Sequence, residues 1–391
     1  MEEIRTGIIG IGNMGFAHAS CIYAGRIKGM RLAALCDIDG EKLRAARGEF
    51  DGVRLFDSAG ELFASGLADA VIIAVPHRLH GKLAEAAFEA GLHVMTEKPS
   101  DISVGAARRM NEAAKKSGRV FGIMFNQRTN PLYRRARELV RGGSLGELKR
   151  SVWIVTNWYR TQGYYDSGGW RATWAGEGGG VLINQAPHNL DLWQWICGMP
   201  CAVTAFCDTA RYHNIEVEDD AEIFARYANG ATGIFVASTG EYPGTNRLEV
   251  SGTRGKLVVE NGLLKLWEND VDEREMCYNT EINPDGVTVR YSEYSPDAPE
   301  TAHMGVLQSF ADCILKGSPL IADGSEGINS LELSNAAYLS EWMGNKEIRL
   351  PLCAEEFDEY LRRRAEGSSF SEGSGGARLD GEYKKRWQVR W

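Results

Sequence analysis

A chain of 391 residues exceeds what one ordinary hydrophobic core organises, so two domains are expected. Its 43% hydrophobic and 25% charged residues are those of a folded globular protein, and a formal net charge of −9 argues against nucleic acid or an anionic membrane as partner. No apolar run approaches a membrane span, no basic leader precedes an apolar one, and the eight cysteines show no paired zinc spacing, so a cytoplasmic protein with reduced thiols and no metal is expected.

Residues 5–9 form a short apolar strand that runs straight into Gly10-Ile11-Gly12-Asn13-Met14-Gly15 and a helical run to residue 24. Glycines at these spacings allow a tight turn, close approach of the backbone to a pyrophosphate, and close helix–strand packing. The phosphates would rest on the helix N-terminus, where unpaired amides and the helix dipole favour negative charge. A second strand over 30–36 ends at Asp37, at about the interval expected of the acid that takes the adenosine ribose hydroxyls. An acid there repels a 2′-phosphate, so NAD is expected in preference to NADP. Arg44 and Arg47 follow on a helix face expected to point to solvent.

The pattern then repeats. A strand over 70–75 ends in Pro76-His77 and is followed by a helix over 79–90; a strand over 93–96 runs into Glu97-Lys98-Pro99 and a helix over 104–117; a strand over 120–125 ends at Asn126. Alternation of this length makes a doubly wound parallel sheet, whose ligands lie at the C-terminal strand ends. Pro76, His77, Lys98 and Asn126 all fall there, which sets the lysine beside the expected nicotinamide position.

The character changes after Asn126. A helix over 133–141 leads to a strand over 148–159 and then to an aromatic loop with Trp158, Tyr159, Arg160, Tyr164, Tyr165, Trp170, Arg171 and Trp174. Aromatic faces stack on sugar C–H surfaces and arginines bond hydroxyls or carboxylates. Glu177-Gly178-Gly179-Gly180 then opens an apolar, helix-like run carrying Asn184, His188 and Asp191, whose spacings of three and four place them on one helix face. Pro187 should kink that helix near His188. A histidine with a carboxylate one turn away makes a proton acceptor near pH 7; a core histidine beside Trp193 and Trp195 is the other reading of the same residues. Strands follow over 203–209, 221–227, 232–238, 247–251, 256–260 and 263–267, with Glu260-Asn261-Gly262 as a hairpin turn. Such runs mean a mostly antiparallel sheet. Helices return over 305–316 and 325–341, and the Gly/Ser-rich tail from Glu366, ending in basic and aromatic residues, is expected to be loose or to dock on its own sheet or a neighbouring subunit.

Jointly these residues resemble the glucose–fructose oxidoreductase, inositol dehydrogenase and rhizopine-catabolism (Gfo/Idh/MocA) family over roughly residues 4–350: the glycine motif, Ala74-Val75-Pro76 with His80, Glu97-Lys98-Pro99, Trp170-Arg171, and Gly179-Gly180 followed by His188 and Asp191 stand in the family's order. The resemblance implies an α/β plus α+β chain: a Rossmann NAD-binding domain over 1–125, an antiparallel open-sheet substrate domain over 126–350, and a tail over 351–391. It also implies a dimer or tetramer built through that sheet. Gly10, Gly12, Asn13, Met14, Gly15, Asp37, Val75, Pro76, His77, His80, Glu97, Lys98 and Asn126 would hold the cofactor. Lys98, fixed by Glu97 and by Pro99 with a cis bond before that proline, would polarise the reacting oxygen, and His188 would take its proton. Arg128, Arg160, Tyr164, Trp170, Arg171, Trp174 and Asn184 would surround the substrate, a sugar, glycoside or cyclitol. One departure stands out, because Asn184 replaces the aspartate many members carry four residues before the histidine. An amide neither accepts a proton nor stabilises an imidazolium as a carboxylate does, which leaves Asp191 as the nearest helper. Asn-Gln-x-Pro-His with tryptophans after it resembles a subgroup acting on glycosides. Two other activities fit the same residues: a redox-neutral enzyme that cleaves glycosides through a 3-keto sugar on tightly held NAD, and a sugar-sensing regulator without turnover.

Overall fold

The computed structural model describes residues 2–369. Strands and helices alternate at first: β1 (Ile4–Ile9), α1 (Asn13–Tyr23), β2 (Met30–Cys36), α2 (Gly40–Glu49), β3 (Arg54–Phe56), α3 (Ala59–Ala64), β4 (Ala70–Ile73), α4 (His80–Glu89), β5 (His93–Thr96), α5 (Val104–Ser117) and β6 (Phe121–Ile123). The strands pair in parallel in the order β3-β2-β1-β4-β5-β6. A strand covered on both faces has to be apolar without alternation, and β4 is buried at all of its residues. Local signals start and stop the helices: the Asp39 carboxylate accepts from Glu41 N (2.8 Å) to begin α2, and Ser103 accepts from Ala106 N (3.3 Å) to begin α5. The strand order reverses between β1 and β4. That reversal opens a crevice at the C-terminal strand ends, between the Gly10 loop and the Pro76 loop.

The second sheet has nine strands. In chain order come α6 (Pro131–Arg141), β7 (Leu148–Val155), α7 (Gln162–Tyr165), α8 (Pro187–Cys197), β8 (Ala202–Thr209), β9 (Glu218–Arg226), β10 (Thr232–Ser238), β11 (Asn246–Gly252), β12 (Gly255–Glu260), β13 (Leu263–Asn269), α9 (Glu273–Tyr278), β14 (Val289–Tyr294), α10 (Ala302–Lys316), α11 (Gly327–Trp342), β15 (Ile348–Arg349) and α12 (Ala354–Glu366). The sheet order is β14-β13-β12-β11-β7-β10-β9-β8-β15, antiparallel except where β7 meets β10. Asn261 (φ +52°) and Gly262 (φ +75°) make the β12–β13 turn, whose type needs positive φ at both positions. Helices α6, α8 and α11 cover one face; Trp193 of α8 donates to Ser151 Oγ on β7 (2.9 Å) and packs on Phe235. The other face shows Phe206, Phe224 and Ile234 to solvent from three neighbouring strands.

Three expectations are corrected. The run before His188 is not one kinked helix: a π-helical turn spans Val181–Gln185, closed by Ala186 N to Val181 O (2.8 Å), and α8 then starts afresh with Pro187 in its first turn, where a missing N–H costs nothing. The stretch assigned to a tail from 351 carries α12, which buries Phe357 and Leu361 and stacks Phe357 on Trp342; the basic, aromatic chain end lies outside the described residues. Helix α10 does not serve the second sheet. Its Val306, Leu307, Phe310 and Ala311 complete the core of the first sheet with Ile4, Ile8 and Ile72.

Candidate active site

The Gly10 loop is shaped by close approach. Gly10 adopts φ +89°, a side chain there would strike Ala74 O at 2.4 Å, and one on Gly15 would strike Gly10 O at 1.8 Å. A side chain on Gly12, by contrast, would meet nothing within 4 Å, and α1 begins with no side-chain cap on its free amides. An open space against an uncapped helix N-terminus fits a pyrophosphate, flanked by Asn13 and Met14 in the first turn. Asp37 stands across from it. Its Oδ2 accepts from Ile11 N (2.6 Å) and Oδ1 from Asp39 N (2.9 Å), which leaves lone pairs for ribose hydroxyls; Lys42 Nζ lies 3.3 Å away. On the far side, Asn126 Oδ1 is buried without a hydrogen-bond partner among the described residues, an orphan acceptor at the end of β6. The site therefore fits a dinucleotide on its own geometry.

The strand-end loops are tied together behind that space. His80 ring nitrogens lie 2.7 Å from Pro99 O and 2.9 Å from Val75 O, so His80 holds the two loops rather than facing the cleft. His77 is buried against the Trp170 ring and 3.3 Å from Glu177 O; burial, then the charges of His80 and Lys98, keep it well below its ordinary 6.5, hence neutral. Glu97 is buried against His18 Nε2 (2.7 Å). Burial pushes its carboxyl up, but the His18 hydrogen bond and the charges of His18, His303 and Lys98 win and bring it to about 2. The Lys98–Pro99 bond is cis, and Lys98 Nζ donates to Asn184 O (2.8 Å). Burial lowers the lysine from 10.5, opposed by Glu97 and Glu177.

From the second half of the chain, α8 brings His188 to the same mouth. Its ring packs against Phe125, and its Nδ1 has no hydrogen-bond partner among the described residues. Burial first, then the charges of Lys98 and His303, hold it well below 6.5 against the pull of Glu97. Beside it Asn184 Nδ2 donates to the buried Glu177 carboxylate and, at 3.2 Å, to the Tyr164 hydroxyl, which also takes Arg171 Nη1 at 2.8 Å and Gln185 Nε2 at 3.3 Å. The Arg171 guanidinium lies 4.7 Å from the Tyr164 ring centre and 4.8 Å from that of Trp170. Arg160 packs over Trp158 and Tyr164 at the rim.

Residues 4–125 match the family described as oxidoreductase family, NAD-binding Rossmann fold, and residues 133–258 match the GFO/IDH/MocA C-terminal domain. The chain belongs to the GFO/IDH/MocA family. It is similar to the myo-inositol 2-dehydrogenase of Thermotoga maritima, 24% identical over 343 residues that cover 86% of this chain and 96% of that protein. It is also similar to the scyllo-inositol 2-dehydrogenase (NAD(+)) of Bacillus subtilis, 26% identical over 86% of this chain and 93% of that one. Among solved structures, the WlbA dehydrogenase of Bordetella pertussis in complex with NADH and UDP-GlcNAcA has a TM-score of 0.75 at 28% identity, covering 90% of this chain and 100% of that one.

This GFO/IDH/MocA member is thus an NAD-dependent oxidoreductase. Besides His80, three of the residues expected in the family's site stand elsewhere. Asp191 faces away from His188 and pairs with Arg128, Nε to Oδ2 at 2.8 Å and Nη2 to Oδ1 at 2.6 Å. Arg128, expected at the substrate, is 2% exposed and is used up by Asp191 and Glu326. Trp174 is core, its ring against Tyr338 and Trp342. Conversely, sequence reasoning gave no role to Glu177, His18, His303 or Gln185. Only Glu177 carried a signal, as an acid set directly before three glycines.

Proposed function

We propose that this oxidoreductase converts a secondary ring hydroxyl of a sugar, glycoside or cyclitol to the ketone. The observation that carries the reading is the meeting of Lys98, from the end of β5, with His188, from the first turn of α8, at the mouth that the Gly10 loop and Asn126 also border. Bound NAD supplies the hydride acceptor. Lys98 donates to the reacting oxygen and steadies negative charge as it develops there. His188, neutral through the physiological range, accepts the hydroxyl proton while the C–H electron pair departs as hydride and the carbonyl forms. The sum is alcohol plus NAD giving ketone, NADH and one proton. Arg160, Tyr164, Trp170 and Arg171 offer the aromatic face and donors that suit a polyhydroxylated ring. The inositol dehydrogenases and the sugar-nucleotide complex among its relatives agree with that class.

Asp37 favours NAD over NADP, and the uncovered stripe of Phe206, Phe224 and Ile234 suits a dimer or tetramer formed through the second sheet. The deciding experiment supplies pyranosides, free sugars and inositols with NAD or NADP and follows NADH absorbance. Turnover of at least one ring alcohol, faster with NAD by about tenfold or more, is the expected result. Product release without net NADH would replace the reading with a redox-neutral one, and silence across the panel would remove it.

A further inference from the structure

Position 184, four residues before His188, is an amide, yet a carboxyl is present beside it. Glu177 reaches Asn184 from the loop before the π-helical turn. Its Oε2 accepts from Ala172 N at 2.6 Å and its Oε1 from Asn184 Nδ2, while the carbonyl of the same Asn184 holds Lys98 Nζ at 2.8 Å. At 1% exposure the carboxyl is closed off from water and does not itself reach the substrate. A carboxylate in this position can only face the amino end of the amide, so it decides which way Asn184 points. With Nδ2 given to Glu177 and Tyr164, Asn184 Oδ1 is the atom left over, and no described residue donates to it.

We infer that Glu177 is a positioning residue: ionised, it turns Asn184 Oδ1 toward the hydroxyl being oxidised and supports the charge on Lys98; protonated, it donates to Oδ1, reverses the amide and idles the pair. The inference rests on the reading of the site as an alcohol dehydrogenase. The groups around this carboxyl are Lys98 and Arg171 as cations, the Asn184 amide, and the Tyr164 and Tyr165 hydroxyls, while the neutral His77 ring meets only the main-chain carbonyl of Glu177. Burial raises Glu177 from 4.5 to about 7, against the pull of Arg171, the Ala172 amide, Lys98 and Asn184. The switch therefore sits in the physiological range, and activity rises with pH through it. Linkage has the opposite sign. A carboxyl raised in the folded state contributes stability below its unfolded value of 4.5, and that contribution is lost as pH climbs through about 7.

The test is Glu177→Gln, which keeps the shape and removes the charge. Its kcat should fall about tenfold or more at pH 8 and the neutral-range acidic limb of kcat/KM should vanish, with NADH affinity unchanged and Tm at pH 8 not reduced. Glu177→Gln combined with Asn184→Asp should recover most of the rate by returning a carboxylate beside Lys98. A purely structural role would lower Tm with the rate and show no such rescue. A Glu177→Gln enzyme that keeps the parent rate and limb overturns the inference. Should that variant not fold, carbon-13 NMR of the parent labelled at glutamate Cδ reads the same group without turnover. Two carboxyls, Glu177 and Glu218, should then titrate near neutrality, and Asn184→Ala should move one of them; if neither moves, Glu177 is not coupled to Asn184. A failure of the dehydrogenase reading shows separately, as an unmutated enzyme that makes no NADH from any ring alcohol.

Discussion

On the proposed mechanism His188 takes its proton with no carboxylate hydrogen-bonded to its ring. A ring held well below 6.5 does not change charge between about pH 6 and 8. So His188→Ala should lower kcat by about a hundredfold or more at every pH and leave the neutral-range limb in place; disappearance of the limb in that variant would return the titration to the histidine. Lys98→Met should cost about a hundredfold in kcat, because its hydrogen bond strengthens as charge builds on the oxygen. NADH binding, followed by fluorescence, should be unchanged, and a variant with most of its turnover would reduce the lysine to a structural part. Both residues are legible in the sequence, one from its proline-flanked strand end and one from its place after the glycines. Their partners are not. Spacings of three and four report a shared helix face only where one helix runs through, and here a new helix starts at Pro187, with Asp191 turned toward Arg128. Glu177 and Asn184 meet across three glycines and the start of a π-helical turn, where no regular helix runs and α-helical spacing carries no information on which side chains meet.

At the level of elements, the Arg128–Asp191 pair joins the turn after β6 to α8, and through Glu326 to the start of α11. Taking one partner from a buried pair leaves the other charge uncompensated, so Arg128→Ala should destabilise by about 3–5 kcal/mol in urea unfolding. Arg128→Met with Asp191→Leu should recover much of that, since both charges go together. If Arg128→Ala unfolds at the parent's urea midpoint, the pair is not holding these elements. Five of the six strands of the first sheet and the hairpin at Asn261-Gly262 are readable because apolar runs and turn residues act locally; β3, three residues long and only half-buried, is too short to show a run. Helix α12 escaped because its stripe, Ala354, Phe357 and Leu361, is thin among charged residues and gains its partner only when Trp342 is brought against it. Trp174 was misread for a related reason: an aromatic in an aromatic loop shows its chemistry in sequence but not the direction in which it faces.

For the whole molecule, the return of α10 to the first sheet sets the limit on what was legible. Parallel alternation identifies the sheet, but nothing in residues 302–316 says which of two sheets their apolar face will meet. Gln308 fastens the helix there, accepting from Lys28 N at 2.9 Å and donating to Lys28 O at 3.1 Å. The dinucleotide-binding half is consequently not a cassette. Expressed as residues 1–130 it would present to water the surface that Val306, Leu307 and Phe310 cover, and it should aggregate or bind NADH at least about tenfold more weakly than the full chain, with binding restored when residues 300–325 are supplied on a linker. A soluble fragment with full NADH affinity would show that the helix is dispensable. A graft between relatives that cuts once, at the end of the sixth strand, inherits a mismatched wall; an exchange that succeeds has to carry two separate pieces of gene.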